Sequence, residues 1–289
     1  MNIKQFSFYF LAIILLSITS LQIDNSLSLS RQWYLLGHLD TKTLFADVFF
    51  IHAQLPRLAM TLLIGGIFGV VGSLMQQLTQ NNLTSPLTLG TSSGAWLALV
   101  IVNIWFTDWV ADHSAFAATM GALFAFFLVI IIAGIRNMTG LPLVVSGMVV
   151  NILLGAIATA LVTLNAQFAQ NIFMWGAGDL AQDGWEMFFW LLPRITPVLL
   201  IFMFAPRILT LLRLGHEGAM ARGLPVLPTF VFFIILSTWL VSVSITVVGV
   251  ISFIGLLAPN IVRTLGARNC SSRAYCQWLN GNMFITDYR

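Results

Sequence analysis

Eight apolar stretches recur along this chain, near residues 6–23, 58–78, 92–110, 115–135, 143–164, 188–206, 227–248 and 249–265. Polar turns rich in Asn, Thr, Gly and Pro separate them. A helix crosses the hydrocarbon of a bilayer with about 20 apolar residues. The pattern therefore predicts an all-α, polytopic transmembrane bundle of about eight membrane helices. The last stretch is interrupted by Gly255 and Pro259 and is expected to be short or bent. Charged residues make up only 8% of the chain, against about 25% in a soluble domain. So few charges cannot solvate a globular surface, so the outside of the bundle must face lipid. The first stretch follows Lys4 and enters polar sequence without a convincing small-x-small cleavage site. It reads as a retained transmembrane helix in preference to a signal peptide.

Charge placement sets the orientation, because cytoplasmic loops retain Lys and Arg. With the N-terminus inside, the inner segments hold Lys4, Arg136, Arg207, Arg213, Arg222, Arg263 and Arg268. The outer segments then hold Asp24, Asp40, Asp47, Asp108, Asp112, Asp179, Asp183 and Glu186. Arg31, Lys42, Arg57 and Arg194 fall outside and Glu217 inside, so the bias is clear without being absolute. On this reading no charge sits well inside a span. Intramembrane acids mark proton and cation relays, and their absence speaks against a proton-coupled transporter. Gly65, Gly69 and Gly72 lie about one turn apart and give the second span a face that another backbone can approach closely.

The chain has no P-loop, H-E-x-x-H, G-x-S-x-G or Gly-rich dinucleotide turn. It is not expected to be an enzyme, and any ATP hydrolysis must come from another chain. His38, His52, His113 and His216 are isolated, and Cys270 and Cys276 form a lone, widely spaced pair. No metal site, cofactor or disulfide framework is expected from them. No basic run or aromatic–basic patch points to nucleic acid.

Four segments, in order, carry a resemblance. The first is Gln54-Leu55-Pro56-Arg57 with the Gly-rich span after it and the run Met75 to Ala95, which includes Gln76-Gln77 and Ser85-Pro86-Leu87-Thr88-Leu89-Gly90. The second is Met174-Trp175-Gly176-Ala177-Gly178-Asp179-Leu180 with Trp185, and the third is Gly215 to Leu224. The fourth is Val248 to Arg263, containing Ile251-Ser252-Phe253-Ile254-Gly255-Leu256 and Pro259. Together they resemble the signatures of permeases from ABC importers for iron chelates and cobalamin, over about residues 50–268. Within that family the Gln76-Gln77 pair, the Ser85–Gly90 run and the Leu265-Gly266-Ala267-Arg268 end are most similar to the ferric hydroxamate type, whose permease is usually a double-length chain of two halves. Departures from the pattern are Gln54 and Gln80 where the family has Arg, Asn82 where it has Pro, and Asn260 where it has His.

The resemblance implies roles. His216, Glu217, Gly218, Ala219, Met220, Ala221, Arg222, Gly223 and Leu224 would form a short cytoplasmic helix that couples to an ATP-binding cassette ATPase subunit; the bland alternative is an interfacial turn. Arg57, taken as the start of the second span, would dock an acidic patch on a periplasmic or lipoprotein siderophore-binding protein, or simply snorkel to headgroups. Asn81, Asn82, Thr84, Ser85, Pro86, Thr139, Ser146, Pro259 and Asn260 would line the inner end of the path or its gate. The family normally has ten helices. Residues 1–268 are thus expected to be an incomplete permease domain and residues 269–289 an aberrant polar tail. The expected function is a permease subunit in the bacterial inner membrane, passing a ferric siderophore by alternating access with a second permease half. A secondary transporter or channel without ATP coupling, and a non-functional fragment, are the alternatives.

Overall fold

The computed structural model describes residues 3–23, 27–37, 44–134, 141–165, 184–204, 215–251 and 253–264, together with Gly178, Ile208, Leu211 and Leu212. Its elements are α1 (Ile3–Ile23), α2 (Leu29–Gly37), α3 (Phe45–Phe49), a π-turn (Phe50–Gln54), α4 (Leu55–Leu78), α5 (Thr91–Trp105), α6 (Thr107–Ala133), α7 (Leu141–Leu164), α8 (Glu186–Phe204), α9 (Gly215–Met220), α10 (Val226–Val248) and α11 (Ile254–Thr264). Four described stretches are long and apolar enough to cross a membrane unaided: Phe45–Leu78, His113–Ala133, Leu141–Leu164 and Val226–Val248. With α1, α5, α8 and α11 they account for the eight expected membrane elements. α11 is the short one, at 11 residues. At about 1.5 Å per residue it reaches roughly halfway through the hydrocarbon.

Three sequence expectations are corrected. The break expected between residues 110 and 115 lies instead at Phe106, whose φ of −133° and ψ of 49° separate α5 from α6. Trp105 and Phe106 are as apolar as the helices they join, so hydropathy leaves this turn unmarked. The second membrane helix does not begin beside Arg57. A continuous rod of 34 residues runs from Phe45 to Leu78. That is about 50 Å long, so the rod tilts or carries its Phe45 end out of a hydrocarbon layer of about 30 Å. Its start is fixed by Asp47, which is fully buried and accepts a hydrogen bond from the Leu44 N–H at 3.3 Å. Asp47 also pairs with the Arg31 guanidinium of α2 at 2.9 Å. That hydrogen bond, and then the carboxylate's charge, hold the Arg31 pKa above its already high usual value. The third correction is Arg194, which lies within α8 and not in a loop. Its guanidinium folds back 3.8 Å over the Trp190 ring and donates to the Trp190 carbonyl at 2.7 Å.

α4 and α10 form the middle of the bundle. α4 packs on α10 and α11, and α10 also touches α5, α6 and α8. The glycines explain how backbones come so close. A Cβ on Gly72 would fall on the Gly255 carbonyl of α11. Pro259, four residues after Gly255, has no N–H to offer that carbonyl, and the space beside Gly72 accommodates it. In the same way a Cβ on Gly94 of α5 would strike the Gly121 carbonyl of α6, and one on Gly121 the Gly94 carbonyl. Gly155 of α7 has nothing within 4 Å of such a Cβ, so it serves no contact of this kind.

Candidate functional site

Between α4 and α5 the chain makes an irregular loop, residues 79–90, that binds itself together with hydroxyls and amides. Gln80 takes a left-handed φ of 52°. The Thr79 hydroxyl donates to the Thr84 hydroxyl at 2.8 Å. Ser85 N–H donates to the Thr88 hydroxyl at 2.7 Å, and Thr88 N–H to the Ser85 hydroxyl at 3.2 Å. Thr91 donates to the Pro86 carbonyl at 2.7 Å, and Asn81 Oδ1 accepts the Leu83 N–H at 2.9 Å. Thr84, Ser85 and Pro86 are buried. Irregular backbone within a membrane protein must be satisfied by such local partners.

The loop is wedged between two helices. On one side Asn260 of α11 donates to the Asn82 carbonyl at 3.2 Å, and Gln76 of α4 to the Leu256 carbonyl at 3.3 Å. Pro86 lies against Gly255, its Cδ 3.1 Å from where a Cβ would stand. On the other side Gly147 of α7 lets the Thr88 carbonyl and Leu89 approach its backbone. The structure therefore brings Asn81, Asn82, Thr84, Ser85 and Pro86 together with the α11 turn holding Pro259 and Asn260. Ser146 is buried next to Gly147, at the same level of α7. Thr139 lies outside the described residues.

A further tether joins this loop to the coupling candidate: Gln80 Nε2 donates to the Leu212 carbonyl at 3.2 Å. Three residues beyond Leu212, α9 begins at Gly215 and ends at Met220. The chain then turns through Ala221, Arg222 and Gly223, where Gly223 adopts a φ of 80° and Leu224 N–H returns to the Ala219 carbonyl at 3.1 Å. Ala219 is fully buried in the core and Leu224 packs against it, whereas Met220, Ala221, Arg222 and Gly223 are exposed. The apolar element presented outward is thus Met220 with Ala221, and Ala219 and Leu224 serve as its roots. For His216, Glu217 and Gly218 the helical backbone is described, and Gly218 is half-buried.

At the opposite end of α4, Arg57 is half-buried, with its carbonyl accepting the Thr61 hydroxyl at 2.7 Å. The neighbouring proline has a consequence that the sequence pattern alone did not expose. In the π-turn the Leu55 N–H bonds the Phe50 carbonyl. The next two carbonyls, of Ile51 and His52, would both look to residue 56 for a donor, and Pro56 has none. Donors arrive from a distant segment: Trp185 Nε1–H reaches the Ile51 carbonyl at 3.1 Å, and Gly184 N–H reaches the His52 carbonyl at 2.6 Å. The residues immediately before α8 are thereby clasped to the rod. On α10, the Ser237, Thr238 and Ser242 hydroxyls are buried without a hydrogen-bond partner among the described residues, as is Ser92 on α5.

A model of the FecCD transport family matches residues 9–286. The chain is 33% identical over 239 residues to the iron(3+)-hydroxamate import system permease protein FhuB of Salmonella typhimurium, covering 83% of this chain and 35% of that protein. It is 31% identical over 277 residues to FhuB of Escherichia coli, covering 95% of this chain and 41% of that protein. It thus spans about two fifths or less of these two relatives. Over 223 residues it is 30% identical to the permease protein FhuG of Bacillus subtilis, covering 73% of this chain and 66% of that one. A solved chain described as a metal-chelate type ABC transporter in an inward-facing conformation has the same fold, with a TM-score of 0.77 at 22% identity over 96% of this chain and 86% of that one. With the family's match extending over nearly the whole sequence and the bundle reproduced in a solved relative, this chain belongs to the FecCD transport family.

Proposed function

We propose that the chain is the membrane-spanning permease subunit of an ABC importer that moves a ferric siderophore of the hydroxamate class across the inner membrane by alternating access. The observation that carries this reading is the likeness to the FhuB and FhuG permeases, which extends through most of the chain at 30–33% identity. The N-terminus lies in the cytoplasm, the end of α4 bearing Arg57 faces outward, and loop 79–90 faces inward. A siderophore-binding protein docks on the outer face, with Arg57 among its contacts. A second permease half completes the path, and an ATPase subunit engages α9 and the turn after it.

Local geometry agrees with these roles. Uncharged amides and hydroxyls at Asn81, Asn82, Thr84, Ser85, Ser146 and Asn260 suit a bulky chelate, which must be held weakly to be released. The Gln80–Leu212 hydrogen bond gives a short mechanical route from the ATPase-facing segment to that loop. Movement of α9 would reach residues 79–90 through that bond. The unpartnered hydroxyls of α10 then have a use, since water or chelate would satisfy them when the path opens.

The test is uptake of radioiron-loaded ferric hydroxamate in a strain without its own permease. The chain is supplied with the ATPase, the binding protein and a complementary permease half. Saturable uptake that disappears when the ATPase's P-loop lysine is replaced is the expected result. Uptake that persists without ATPase function would favour a channel or secondary transporter. Uptake of cobalamin but not of the hydroxamate would move the substrate class.

A further inference from the structure

The segment between α1 and α4 carries an apolar surface that the transport reading does not use. α2 buries Gln32 and Leu35, and Leu35 packs with Leu27, Phe50 and Ile51 in a small cluster joined by Leu21 of α1 and Leu55. The Gln32 amide donates to the Leu27 carbonyl at 3.3 Å, and the Arg31–Asp47 pair ties α2 to α3. This small platform is therefore held in a defined orientation. Beside the buried face, Leu29, Trp33 and Leu36 recur at i, i+4 and i+7 and form one stripe. All three are exposed, Trp33 at 79%. Tyr34 flanks the stripe, and Leu44 and Phe45 of α3 are exposed as well, Phe45 at 85%.

The level of this surface follows from α1. Its 21 residues span about 31 Å, the thickness of the hydrocarbon, and its Leu11, Ile14, Leu15 and Ile18 are exposed, as a lipid-facing helix requires. Leu21 stands near the C-terminal end of α1 and touches the same cluster as Leu35. α2 thus lies at the edge of the hydrocarbon, continuous with a surface already in lipid. Tryptophan and tyrosine concentrate at that depth, where an apolar ring and a polar N–H or O–H are both accommodated. The one charge on α2, Arg31, is neutralised by Asp47, so little is offered to a charged protein partner.

We propose that α2 and α3 form an interfacial anchor, with Leu29, Trp33, Leu36 and Phe45 seated at the headgroup–acyl boundary of the bilayer. Such elements bury their apolar face about 5–10 Å deep. The assignment to the outer leaflet rests on the orientation proposed above; the anchoring itself does not.

The experiment uses the full chain in proteoliposomes, with Cys270 and Cys276 replaced by serine. Trp33→Cys and, independently, Phe45→Cys carry an environment-sensitive fluorophore, and Ser30→Cys on the polar side of α2 is the control. Phospholipids brominated high on the acyl chain should quench the label at 33 and at 45 at least about twofold more than at 30, because the anchor depth reaches them. Aqueous iodide should do the reverse. Iodide quenching at 33 and 45 equal to that at 30, with no effect of brominated lipid, would overturn the anchor. Shielding from iodide that appears only on adding binding protein would equally overturn it and make the surface a protein dock. The readout needs no transport, so failure of the uptake assay leaves it unaffected. Two labelled positions guard against one variant misfolding.

Discussion

The rod containing α4 and the helix α10 are as apolar as α6 and α7, yet they occupy opposite environments. Nearly three quarters of the membrane window of each central element is buried inside the bundle, 72%, against 39% for α6 and for α7. The difference lies in their small and polar residues. α4 buries Gln76, whose amide reaches the Leu256 carbonyl of α11, and α10 buries Ser237, Thr238 and Ser242, whose hydroxyls are not satisfied by their own helix. α7 instead turns Val145, Val149, Ile152 and Leu153 outward, and its Thr159 and Thr163 hydroxyls are occupied by their own helix's carbonyls at 2.9 and 2.8 Å. Lipid is as apolar as leucine, so apolarity does not select which helix goes to the centre. Close backbone approach and polar groups that need protein partners do.

The largest test of that contrast is a pair of glycines. Gly72→Ala places a methyl on the Gly255 carbonyl, and neither backbone can yield cheaply. We expect a loss of at least about 3 kcal/mol, at the upper end of overpacking effects, or failure to recover folded protein. Gly155→Ala adds a methyl in open space and should gain about 0.5–1 kcal/mol from helix propensity. Thermal stability of detergent-solubilised protein, followed by size-exclusion fluorescence, measures both. Equal losses at the two sites would break the comparison.

A smaller effect sharpens it at the end of the rod. Trp185→Phe keeps the ring but removes the donor to the Ile51 carbonyl, and leaving a buried acceptor unsatisfied costs about 1–3 kcal/mol. Pro56→Ala restores an N–H at the position whose absence created the need. The double variant should therefore lose less than the sum of the two single changes. Strict additivity in the same stability assay would show that Trp185 does not serve the carbonyls orphaned by Pro56.

The smallest effects compare one hydroxyl from each environment. Ser242→Ala removes a buried, unpartnered hydroxyl from α10 and should raise stability by about 1 kcal/mol while slowing uptake. Thr159→Ala on the lipid side should change stability by less than about 0.5 kcal/mol and leave uptake unchanged. A matching response at both positions would mean that the hydroxyls of α10 have no role beyond that of a lipid-facing threonine.

Much of the bundle was legible residue by residue. The apolar blocks at 143–164 and 227–248 coincide closely with α7 and α10, and the Gly255–Pro259 interruption marked the short α11. The short helix α9 was also marked, since Gly215 and Gly223 bracket it and its closing turn. Three features escaped for physical reasons. The turn at Phe106 is made of apolar residues. α2 is too short to show a membrane signal. The N-terminal continuation of α4 depends on Asp47 meeting Arg31, 16 residues away in sequence. Gln76 and Gln80 stood in the sequence as an amide-rich run, but as tethers they depend on where the Leu256 and Leu212 carbonyls lie.

By itself the sequence determined that this chain is a helical membrane protein, because too few charges and eight apolar runs leave water no surface to solvate and lipid accepts only backbone satisfied within itself. It also determined the family resemblance, through motifs whose order and spacing survive in the linear text. Tertiary structure alone decided which apolar helices became central, that Gly72 meets Gly255 while Gly155 meets nothing, and that Trp185 supplies a donor denied by Pro56. Hydropathy sums over neighbours in the chain, whereas close packing and hydrogen bonding act between groups more than a hundred residues apart, and no periodicity along the sequence records which of them will touch.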